Sequence, residues 1–423
     1  MTQLDRRFLL KAMGLGTASL ALPTPAFARA KARIVIIGGG FGGASAAQTL
    51  ATVLPSSNIT LIDANATYTA CPFSNLVLGT DRALSAQQFG YDGLRRLGVT
   101  VLNTLALDVD PVAQTVTVSD AETIGYDRLI LSPGIDMRWN ALEGYDEAAA
   151  QIFPHAWKAG PQTLLLRQKL DALEDGQPVI MSVPTAPFRC PPGPYERASM
   201  IAHYLKTRKP RSKLIVLDAK DSFSKKALFQ EAWDEHYPDH LEWRGASDDG
   251  TVSRVDAATE TIETDFESFD ASVINIIPPQ KAGSIADRAG VSDGTGWCPI
   301  DPLAFESTQQ ANIHVIGDAT IAAPMPKSAF SANLQAKVCA MGVARLVSGL
   351  EPQATILSNT CYSFTTPDEA ISIAGVYSNE NNILMSVSEA GGVSSLSAVK
   401  SIRNQEADQA RSWFETITSE TFG

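Results

Sequence analysis

The sequence is poor in cysteine, histidine and positive charge. Its 423 residues include 5 cysteines, 5 histidines and 34 lysines and arginines against 46 aspartates and glutamates, which gives a formal net charge of -12. This charge disfavours nucleic acid and anionic membrane surfaces as partners and suits a basic protein better. The histidines show no spacing typical of metal ligands, so we predict no metal site.

Long apolar runs are also missing, and no segment after the N-terminal region reaches the roughly 20 residues that a membrane span needs. Residues 1–28 have the pattern of an export signal: Arg6-Arg7 precedes the apolar stretch 12–22, and residues 26–28 read Ala-Phe-Ala, typical of a cleavage site. Paired arginines favour the twin-arginine route, which carries folded proteins with their cofactors. We expect a periplasmic protein without a membrane span in the mature chain; the alternative is an uncleaved anchor helix.

None of the cysteines begins the Cys-x-x-Cys-His pattern of c-type haem attachment, so we expect no haem on this chain. Export would permit stable disulfides. We interpret Cys298 and Cys339 as core residues, because a free cysteine commonly packs as a small hydrophobe. Three cysteines then remain for chemistry: Cys71, Cys190 and Cys361.

A dinucleotide-binding unit follows the signal. The β-branched run Arg33–Ile37 predicts a parallel strand buried on both faces. Gly38, Gly40 and Gly43 then form G-x-G-x-x-G, where side chains would keep the backbone and the helix N-terminus from a pyrophosphate. Asp63 ends the next strand, about twenty residues on, at the spacing of a carboxylate that binds a ribose hydroxyl. The unit predicts FAD or NAD without distinguishing them.

Two later segments favour FAD. Residues 126–134 predict a strand that runs into a tight turn at Gly134, and residues 313–319 predict a strand that ends in Gly-Asp. Both resemble landmarks of flavoproteins with two dinucleotide-binding domains, in which the aspartate at the strand end meets the ribityl chain of FAD. The resemblance assigns this role to Asp318, whose alternative role is a cap or turn carboxylate.

A helix from about Ser331 to Val347 would then direct its N-terminus at the isoalloxazine ring, where its dipole stabilises negative charge. Lys327 lies just ahead of this helix. We therefore expect Lys327 to assist at the ring.

A second α/β region lacks the nucleotide fingerprint. Strands are predicted at 178–183 and 213–218, on either side of a helix at 196–206. The turn after the first strand, residues 184–194, is rich in proline, which fixes φ and removes the N–H donors that a phosphate cradle needs. We therefore expect NAD(P)H not to bind.

Three cysteine-centred segments carry a specific resemblance: Arg189–Arg197 (RCPPGPYER), Thr69–Asn75 (TACPFSN) and Asn359–Ser363 (NTCYS). Together they resemble the flavoprotein subunit of flavocytochrome c sulfide dehydrogenase, within the superfamily of two-dinucleotide-domain disulfide reductases. The resemblance covers nearly the whole mature chain and implies an α/β fold class, with two Rossmann-like domains and a C-terminal α+β interface domain. The implied boundaries are 29–153 and 281–350 for the FAD-binding domain, 154–280 for the second Rossmann-like domain and 351–423 for the C-terminal domain.

Carried onto this sequence, the resemblance implies that Cys71 bears FAD covalently through the flavin 8α-methyl group. It implies that Cys190 and Cys361 form a redox-active disulfide beside the ring, with Cys361 the proximal cysteine, and that Glu196 accepts a proton. Taken without the resemblance, Cys71 could be a buried small hydrophobe, the two cysteines a structural bridge and Glu196 the opening of a helix.

The implied activity is oxidation of sulfide to zero-valent sulfur or polysulfide, with electrons passing through the disulfide and FAD to a separate c-type cytochrome subunit. A sulfide:quinone oxidoreductase is a second interpretation, but it needs an apolar C-terminus for membrane docking, and residues 402–408 are polar. A third is a subunit that docks on or reactivates another periplasmic sulfur-oxidising component.

Overall fold

The predicted N-terminal strand lies at the centre of the main sheet. The computed structural model describes residues 31–423, so the export signal predicted for residues 1–28 lies outside them. Strand Arg33–Ile37 pairs in parallel with Asn58–Ile62 on one side and Arg128–Leu131 on the other. All but its first residue are buried, as expected for a strand covered on both faces.

The main sheet is parallel at its centre and mixed at one end. It has eight strands, in the spatial order Thr320–Ile321, Cys298–Asp301, Glu306–Ser307, Ile313–Val315, Arg128–Leu131, Arg33–Ile37, Asn58–Ile62 and Thr100–Leu102. Strand Ile313–Val315 is inserted next to Arg128–Leu131 although about 180 residues separate them, a long-range parallel pairing of the kind that folds slowly. Segments that precede and follow the second α/β region in the sequence therefore build one sheet together.

Different secondary-structure elements pack on the two faces of this sheet. Ile34 and Ile36 belong to an apolar cluster with helices Phe41–Val53 and Ala329–Val347. Val35 and Ile37 pack on the other side, in a cluster that includes a three-stranded antiparallel sheet. The strands of that sheet are Ala106–Asp110, Thr115–Val118 and Thr123–Gly125.

The second α/β region forms its own parallel sheet, in the spatial order Leu241–Arg244, Leu214–Asp218, Val179–Val183 and Val273–Ile276. A small antiparallel sheet accompanies it, with strands Arg254–Asp256, Thr261–Glu263 and Ser268–Asp270. The helices of this region are Pro161–Ala172, Gly193–Arg208 and Lys226–His236. The helix predicted at 196–206 thus starts three residues earlier, because prolines fit the first positions of a helix, where an N–H has no partner.

The C-terminal region is an antiparallel sheet with a long helix, Lys400–Phe422, packed on it. Its strands are Leu357–Thr366, Glu369–Glu380, Ile383–Ser386 and Gly392–Val393. Shorter elements complete the fold: helices Ser74–Gly79, Asp92–Arg96 and Ile285–Arg288, 3-10 turns Leu84–Gln87, Ser119–Ala121, Ala149–Gln151, Ala246–Asp248 and Gly317–Ala319, and strand pairs Tyr68–Thr69 with Gln88–Phe89 and Ile135–Met137 with Gln280–Ala282.

These elements confirm the predicted α/β fold class. Two sheets with parallel strands and crossover helices are followed by an α+β segment at the C-terminus. Among the helices that the structure describes, none combines the length and the apolar character of a membrane-spanning segment.

Candidate functional site

The glycine-rich turn has the close backbone contacts that a dinucleotide loop needs. Gly38 has φ +97, and a Cβ there would lie 2.2 Å from the carbonyl oxygen of Ser132. A Cβ on Gly43 would lie 1.8 Å from the carbonyl oxygen of Gly38. Gly40 caps the helix that follows, with extended backbone. The turn therefore presents a helix N-terminus with no side chain in front of it, the arrangement that binds a phosphate.

Replacing Gly38 with alanine should strip the protein of FAD. The added methyl group would meet a backbone oxygen that cannot move aside, and alanine is strained at this φ. We expect FAD binding to weaken about five- to 160-fold, which corresponds to a strain of about one to three kcal/mol, and the flavin-to-protein absorbance ratio to fall accordingly. Gly90→Ala is the matched control, because a Cβ there meets no atom within 4 Å. Full flavin content in Gly38→Ala would contradict the assignment of this turn.

Asp63 lies at the end of its strand beside the glycine turn. Its Oδ2 accepts a hydrogen bond from Gly39 N at 2.6 Å, and its Oδ1 accepts one from Asn65 N at 2.8 Å. Each carboxylate oxygen of Asp63 has a second lone pair that can accept another hydrogen bond, and Asp63 lines a cavity. Asp63 is thus placed where a ribose hydroxyl would donate to it.

That cavity has a volume of about 460 Å³ and brings together most of the predicted site. Gly43 does not line this cavity, because it lies within the first turn of helix Phe41–Val53. Nine of the predicted residues line it: Gly38, Gly40, Asp63, Cys71, Gly134, Cys190, Glu196, Asp318 and Cys361.

Asp318 presents an unpartnered carboxylate oxygen. Its Oδ2 lies 4.0 Å from Nε of Arg189, whereas its Oδ1 is buried and has no hydrogen-bond partner in the described part of the chain. Burial raises the pKa of this carboxyl group, and Arg189 acts against that rise. An orphaned acceptor at a strand end is what a ligand hydroxyl would satisfy. The free Oδ1 of Asp318 and the open glycine turn together show that these residues fit FAD.

The helix after Asp318 does direct its N-terminus at the cavity. It begins at Ala329, two residues before the predicted start, and the Ser328 side chain caps it by accepting from Ser331 N at 3.0 Å. Ser328, Ala329 and Phe330 all line the cavity.

Lys327 itself does not line the cavity, and its assistance at the ring stays a prediction. Its Nζ donates to the carbonyl oxygens of Asp318 at 2.8 Å and Thr320 at 2.6 Å, and it lies 3.8 Å from the centroid of the Trp297 ring. Two carbonyls and an aromatic face hold the ammonium inside the protein, where burial lowers its pKa to about 8.

Cys190 lies in a tight turn that leads into helix Gly193–Arg208. It has φ +57, its N–H donates to the Lys327 carbonyl at 2.8 Å, and its carbonyl accepts from Gly193 N at 2.8 Å. A Cβ on Gly193 would lie 2.9 Å from the Cys190 sulfur, so only glycine leaves room for that sulfur at the helix start. Burial raises the pKa of the Cys190 thiol.

Cys361 comes to the same cavity from strand Leu357–Thr366. Its sulfur accepts a hydrogen bond from the side-chain amide of Asn359 at 3.2 Å, and the residue is 9% exposed. All five cysteines are free thiols in this structure, so the bond between Cys190 and Cys361 that the resemblance implies stays a prediction. The structure does bring both residues to one cavity.

Glu196 links two regions of the chain. Its Oε2 accepts from the Asn75 side-chain amide at 2.7 Å, and its Oε1 accepts from Phe364 N at 3.0 Å, on the strand that carries Cys361. Burial is the main influence on its carboxyl group and raises the pKa. These two hydrogen bonds hold the Glu196 carboxylate at the cavity, which disfavours the alternative that Glu196 only opens a helix.

Cys71 is half-buried and also lines the cavity, and its sulfur lies 4.0 Å from the carbonyl oxygen of Trp157. Its position facing the cavity disfavours the alternative of a core residue. Cys298 and Cys339, by contrast, are fully buried, which confirms their interpretation as core residues.

Sequence reasoning missed several polar residues at the site. Lys225, in left-handed backbone with φ +64, donates through Nζ to the Cys361 carbonyl at 3.1 Å and to Oγ of Ser363 at 2.9 Å. Burial lowers its pKa to about 8. Arg197 donates through Nε to Oδ1 of Asn75 at 3.1 Å. Both Asn75 and Arg197 lie within the quoted cysteine segments, whereas nothing in the sequence around Lys225 signals its role.

Three family models match consecutive parts of the chain. They are "Pyridine nucleotide-disulphide oxidoreductase" over residues 32–161, "Sulfide dehydrogenase [flavocytochrome c] flavoprotein chain, central" over 163–278, and "Flavocytochrome c sulphide dehydrogenase, flavin-binding" over 353–422. The chain is also 49% identical over 45 residues to the sulfide dehydrogenase [flavocytochrome c] flavoprotein chain of Chlorobaculum thiosulfatiphilum, covering 11% of this chain and 94% of that sequence. The chain belongs to the flavocytochrome c sulfide dehydrogenase flavoprotein family.

The family is in turn related to the sulfide:quinone oxidoreductases. The chain is 21% identical over 309 residues to the mitochondrial sulfide:quinone oxidoreductase of Mus musculus, an alignment that covers 68% of this chain and 65% of the mouse protein. The X-ray structure of the sulfide:quinone oxidoreductase from Aquifex aeolicus superposes with a TM-score of 0.73 at 18% identity, covering 92% of each chain. At this identity the superposition shows a shared fold.

Proposed function

We propose that this chain is an exported flavoprotein that oxidises sulfide to zero-valent sulfur or polysulfide and delivers the electrons to a c-type cytochrome subunit. The observation that carries the proposal is the convergence of Cys190, Cys361 and Glu196 on the cavity that the glycine turn and Asp318 also line. The test is anaerobic bleaching of the flavin absorbance by sulfide. A yellow protein that sulfide does not bleach would refute the proposal.

In the proposed mechanism, Cys190 and Cys361 form a disulfide that hydrosulfide attacks. A bond forms between the substrate sulfur and one cysteine while the bond between the cysteines breaks, leaving a persulfide and a thiolate, as in ordinary thiol–disulfide exchange. Glu196 takes the proton that the substrate loses. Its carboxylate suits this role because burial raises its pKa, which makes it a stronger proton acceptor than an exposed glutamate.

FAD would be held by the glycine turn, Asp63 and Asp318, with Cys71 as its covalent attachment. Bound FAD supplies a two-electron acceptor that releases electrons singly, as a one-electron haem partner requires. Precipitating the protein with acid tests the attachment: yellow colour should stay in the pellet of the wild type and move to the supernatant for Cys71→Ala. The mass of the pelleted chain also reports cleavage after residue 28, because export to the periplasm requires it.

The expectation that NAD(P)H is not used has structural support. Asp218, fully buried at the end of the second strand of the second α/β region, accepts from Tyr195 Oη at 2.7 Å and from Trp243 Nε1 at 3.1 Å. Tyr195 stacks on Phe223 with the ring centroids 3.5 Å apart. The protein's own side chains thus use the carboxylate that would otherwise be available to a ribose.

Quinone is the alternative electron acceptor, and the relation to sulfide:quinone oxidoreductases favours testing it. Sulfide-dependent reduction of a co-purified c-type cytochrome and of a soluble quinone should be compared on the same preparation. We expect the cytochrome to be reduced much faster. Faster quinone reduction would overturn the proposed acceptor but leave sulfide oxidation standing, and full cytochrome reduction without this chain would indicate a docking or reactivating role.

A further inference from the structure

The side chain of Asn359 places a hydrogen-bond donor on the Cys361 sulfur. Its Nδ2 lies 3.2 Å from that sulfur, and Asn359 is only 2% exposed, so water does not compete for the contact. Its Oδ1 accepts from the hydroxyl groups of Ser328 at 2.5 Å and Ser331 at 3.1 Å, at the start of helix Ala329–Val347. The two serines thus hold the amide with its nitrogen towards the sulfur.

This contact favours a sulfur without a proton. A thiol proton on Cys361 would have to reach Oδ1 of Asn359 at 3.7 Å, where the serine hydroxyls already use both lone pairs. The amide N–H, in contrast, binds a thiolate more strongly than a neutral sulfur, because hydrogen bonds to charged groups are about twice as strong. The amide therefore stabilises a negative charge on this sulfur more than it stabilises the thiol or a disulfide.

A buried cation lies beside the backbone of the same cysteine. Lys225 is 8% exposed, and its Nζ donates to the carbonyl of Cys361 at 3.1 Å, to Oγ of Ser363 at 2.9 Å and to the carbonyl of Ile371 at 3.4 Å. These uncharged acceptors use all three ammonium protons, and no carboxylate within residues 31–423 forms an ion pair with Lys225. Since an unpaired buried cation is costly, a negative charge on the nearby sulfur would compensate it.

The other cysteine has no comparable donor. In the described part of the chain, no hydrogen bond reaches the Cys190 sulfur, and burial raises the pKa of its thiol. Burial also lowers the pKa of Lys225 to about 8, and a negative charge on Cys361 is the largest influence that opposes this decrease. The negative charge of the reduced pair is therefore stabilised at Cys361.

We propose that Asn359 is a further catalytic residue that stabilises negative charge on the Cys361 sulfur, and that Lys225 is a positioning residue that strengthens this effect. Together they raise the reduction potential of the Cys190–Cys361 pair. The inference rests on the proposed function, but it does not depend on which cysteine sulfide attacks, because the potential belongs to the pair.

The same effect is expected when a thiol buffer reduces the pair. A bond forms between two buffer sulfurs as the bond between Cys190 and Cys361 breaks, and the cysteines gain the two electrons. Of the two protons that the buffer loses, one stays on the pair and one goes to solvent, which leaves one thiolate. Stabilising that thiolate makes the disulfide a stronger oxidant.

The experiment measures this reduction potential in Asn359→Leu. Holoenzyme is equilibrated anaerobically with mixtures of reduced and oxidised glutathione or dithiothreitol, quenched with acid and alkylated, and the reduced fraction of each cysteine peptide is determined by mass. We expect the equilibrium constant for reduction to fall at least about tenfold, because a hydrogen bond to a charged group is lost. Tenfold corresponds to a potential about 30 mV lower.

Asn404→Leu is the matched control. Its amide also lies in the C-terminal region, donates to the carbonyl of Asp368 at 2.6 Å and does not line the cavity that fits FAD, so the potential should equal that of the wild type. FAD absorbance and melting temperature show whether each variant is folded. If Asn359→Leu does not fold, Asn359→Asp keeps the acceptor for both serines and loses the amide donor, and the potential should fall in the same direction at pH 8. An unchanged potential in a folded Asn359 variant would overturn the proposal, since the amide would then only tie the strand to the helix.

Lys225→Met tests the second residue in the same assay. Removing the buried charge should lower the equilibrium constant for reduction about tenfold. Lys226→Met is its control, because the neighbouring ammonium lies on the Trp243 ring and donates to the Asp221 carbonyl. An unchanged potential in Lys225→Met would remove the lysine from the proposal. Failure of the proposed function has a different signature: the wild-type cysteine pair would titrate, but sulfide would not bleach the flavin.

Discussion

Replacing Cys190 or Cys361 with serine is expected to abolish sulfide-dependent bleaching of the flavin. A serine hydroxyl can neither form a disulfide nor leave as a stable anion, so the exchange step has no substitute route. We expect each variant to lose at least about a thousandfold in the bleaching rate, comparable to removing a nucleophile in other covalent mechanisms. The double variant should be no worse than either single one, because the two sulfurs act as one unit.

The same variants should keep their FAD. Neither cysteine contributes to the glycine turn, to Asp63 or to Asp318, so flavin absorbance should stay at the wild-type ratio. Cys339→Ser is the matched control: this thiol is buried in a helix and does not line the cavity that fits FAD, and a serine hydroxyl there can donate to the carbonyl four residues earlier. Normal bleaching in both cavity variants would remove the disulfide from the mechanism.

The first βαβ unit was predictable because each of its signals is local. A continuous β-branched run indicates a strand buried on both faces, and glycine is required wherever a backbone oxygen lies about 2 Å from the position of a Cβ. Strand Arg33–Ile37 and the turn at Gly38 accordingly lie where the pattern places them.

The cysteine pair was predictable only through family resemblance. Cys190 precedes a helix and Cys361 lies on a strand of the C-terminal sheet, and no periodicity in either segment indicates that they share a cavity. Helix Gly193–Arg208 packs against strand Leu357–Thr366, and the hydrogen bond from Phe364 N to Glu196 joins residues 168 positions apart. Such long-range contacts follow from the assembled fold and not from a local pattern.

The two lysines show what a sequence pattern leaves open. Lys327 is close in sequence to the helix that points at the cavity, but its side chain turns back to two carbonyls and Trp297. Lys225 lies in an unremarkable segment, but its ammonium reaches the strand of Cys361. The direction of a long flexible side chain depends on which acceptors the tertiary structure leaves free, and a sequence pattern does not contain that information.

The pH dependence of bleaching should be set in part by Glu196. Its carboxyl pKa is raised, mainly by burial, so the carboxylate that accepts the proton becomes populated at a higher pH than for an exposed glutamate. The bleaching rate should therefore increase as pH rises through this raised pKa and level off above it. Glu196→Gln removes the titrating group, and we expect a loss of about a hundredfold, typical for a general base, together with a flatter profile.

The Glu196→Gln variant also distinguishes proton acceptance by Glu196 from a purely structural role. Glutamine keeps the size of the side chain and an oxygen that can accept from Phe364 N, but its amide group cannot accept from Asn75. Glu235→Gln, an exposed change on helix Lys226–His236, is the control for charge alone. Ionisation of hydrogen sulfide to the attacking hydrosulfide leaves a slope in every variant, so if the profile of Glu196→Gln equals that of the wild type in both slope and midpoint, another group accepts the proton, and Glu196 holds the cavity together through its two hydrogen bonds without taking part in the chemistry.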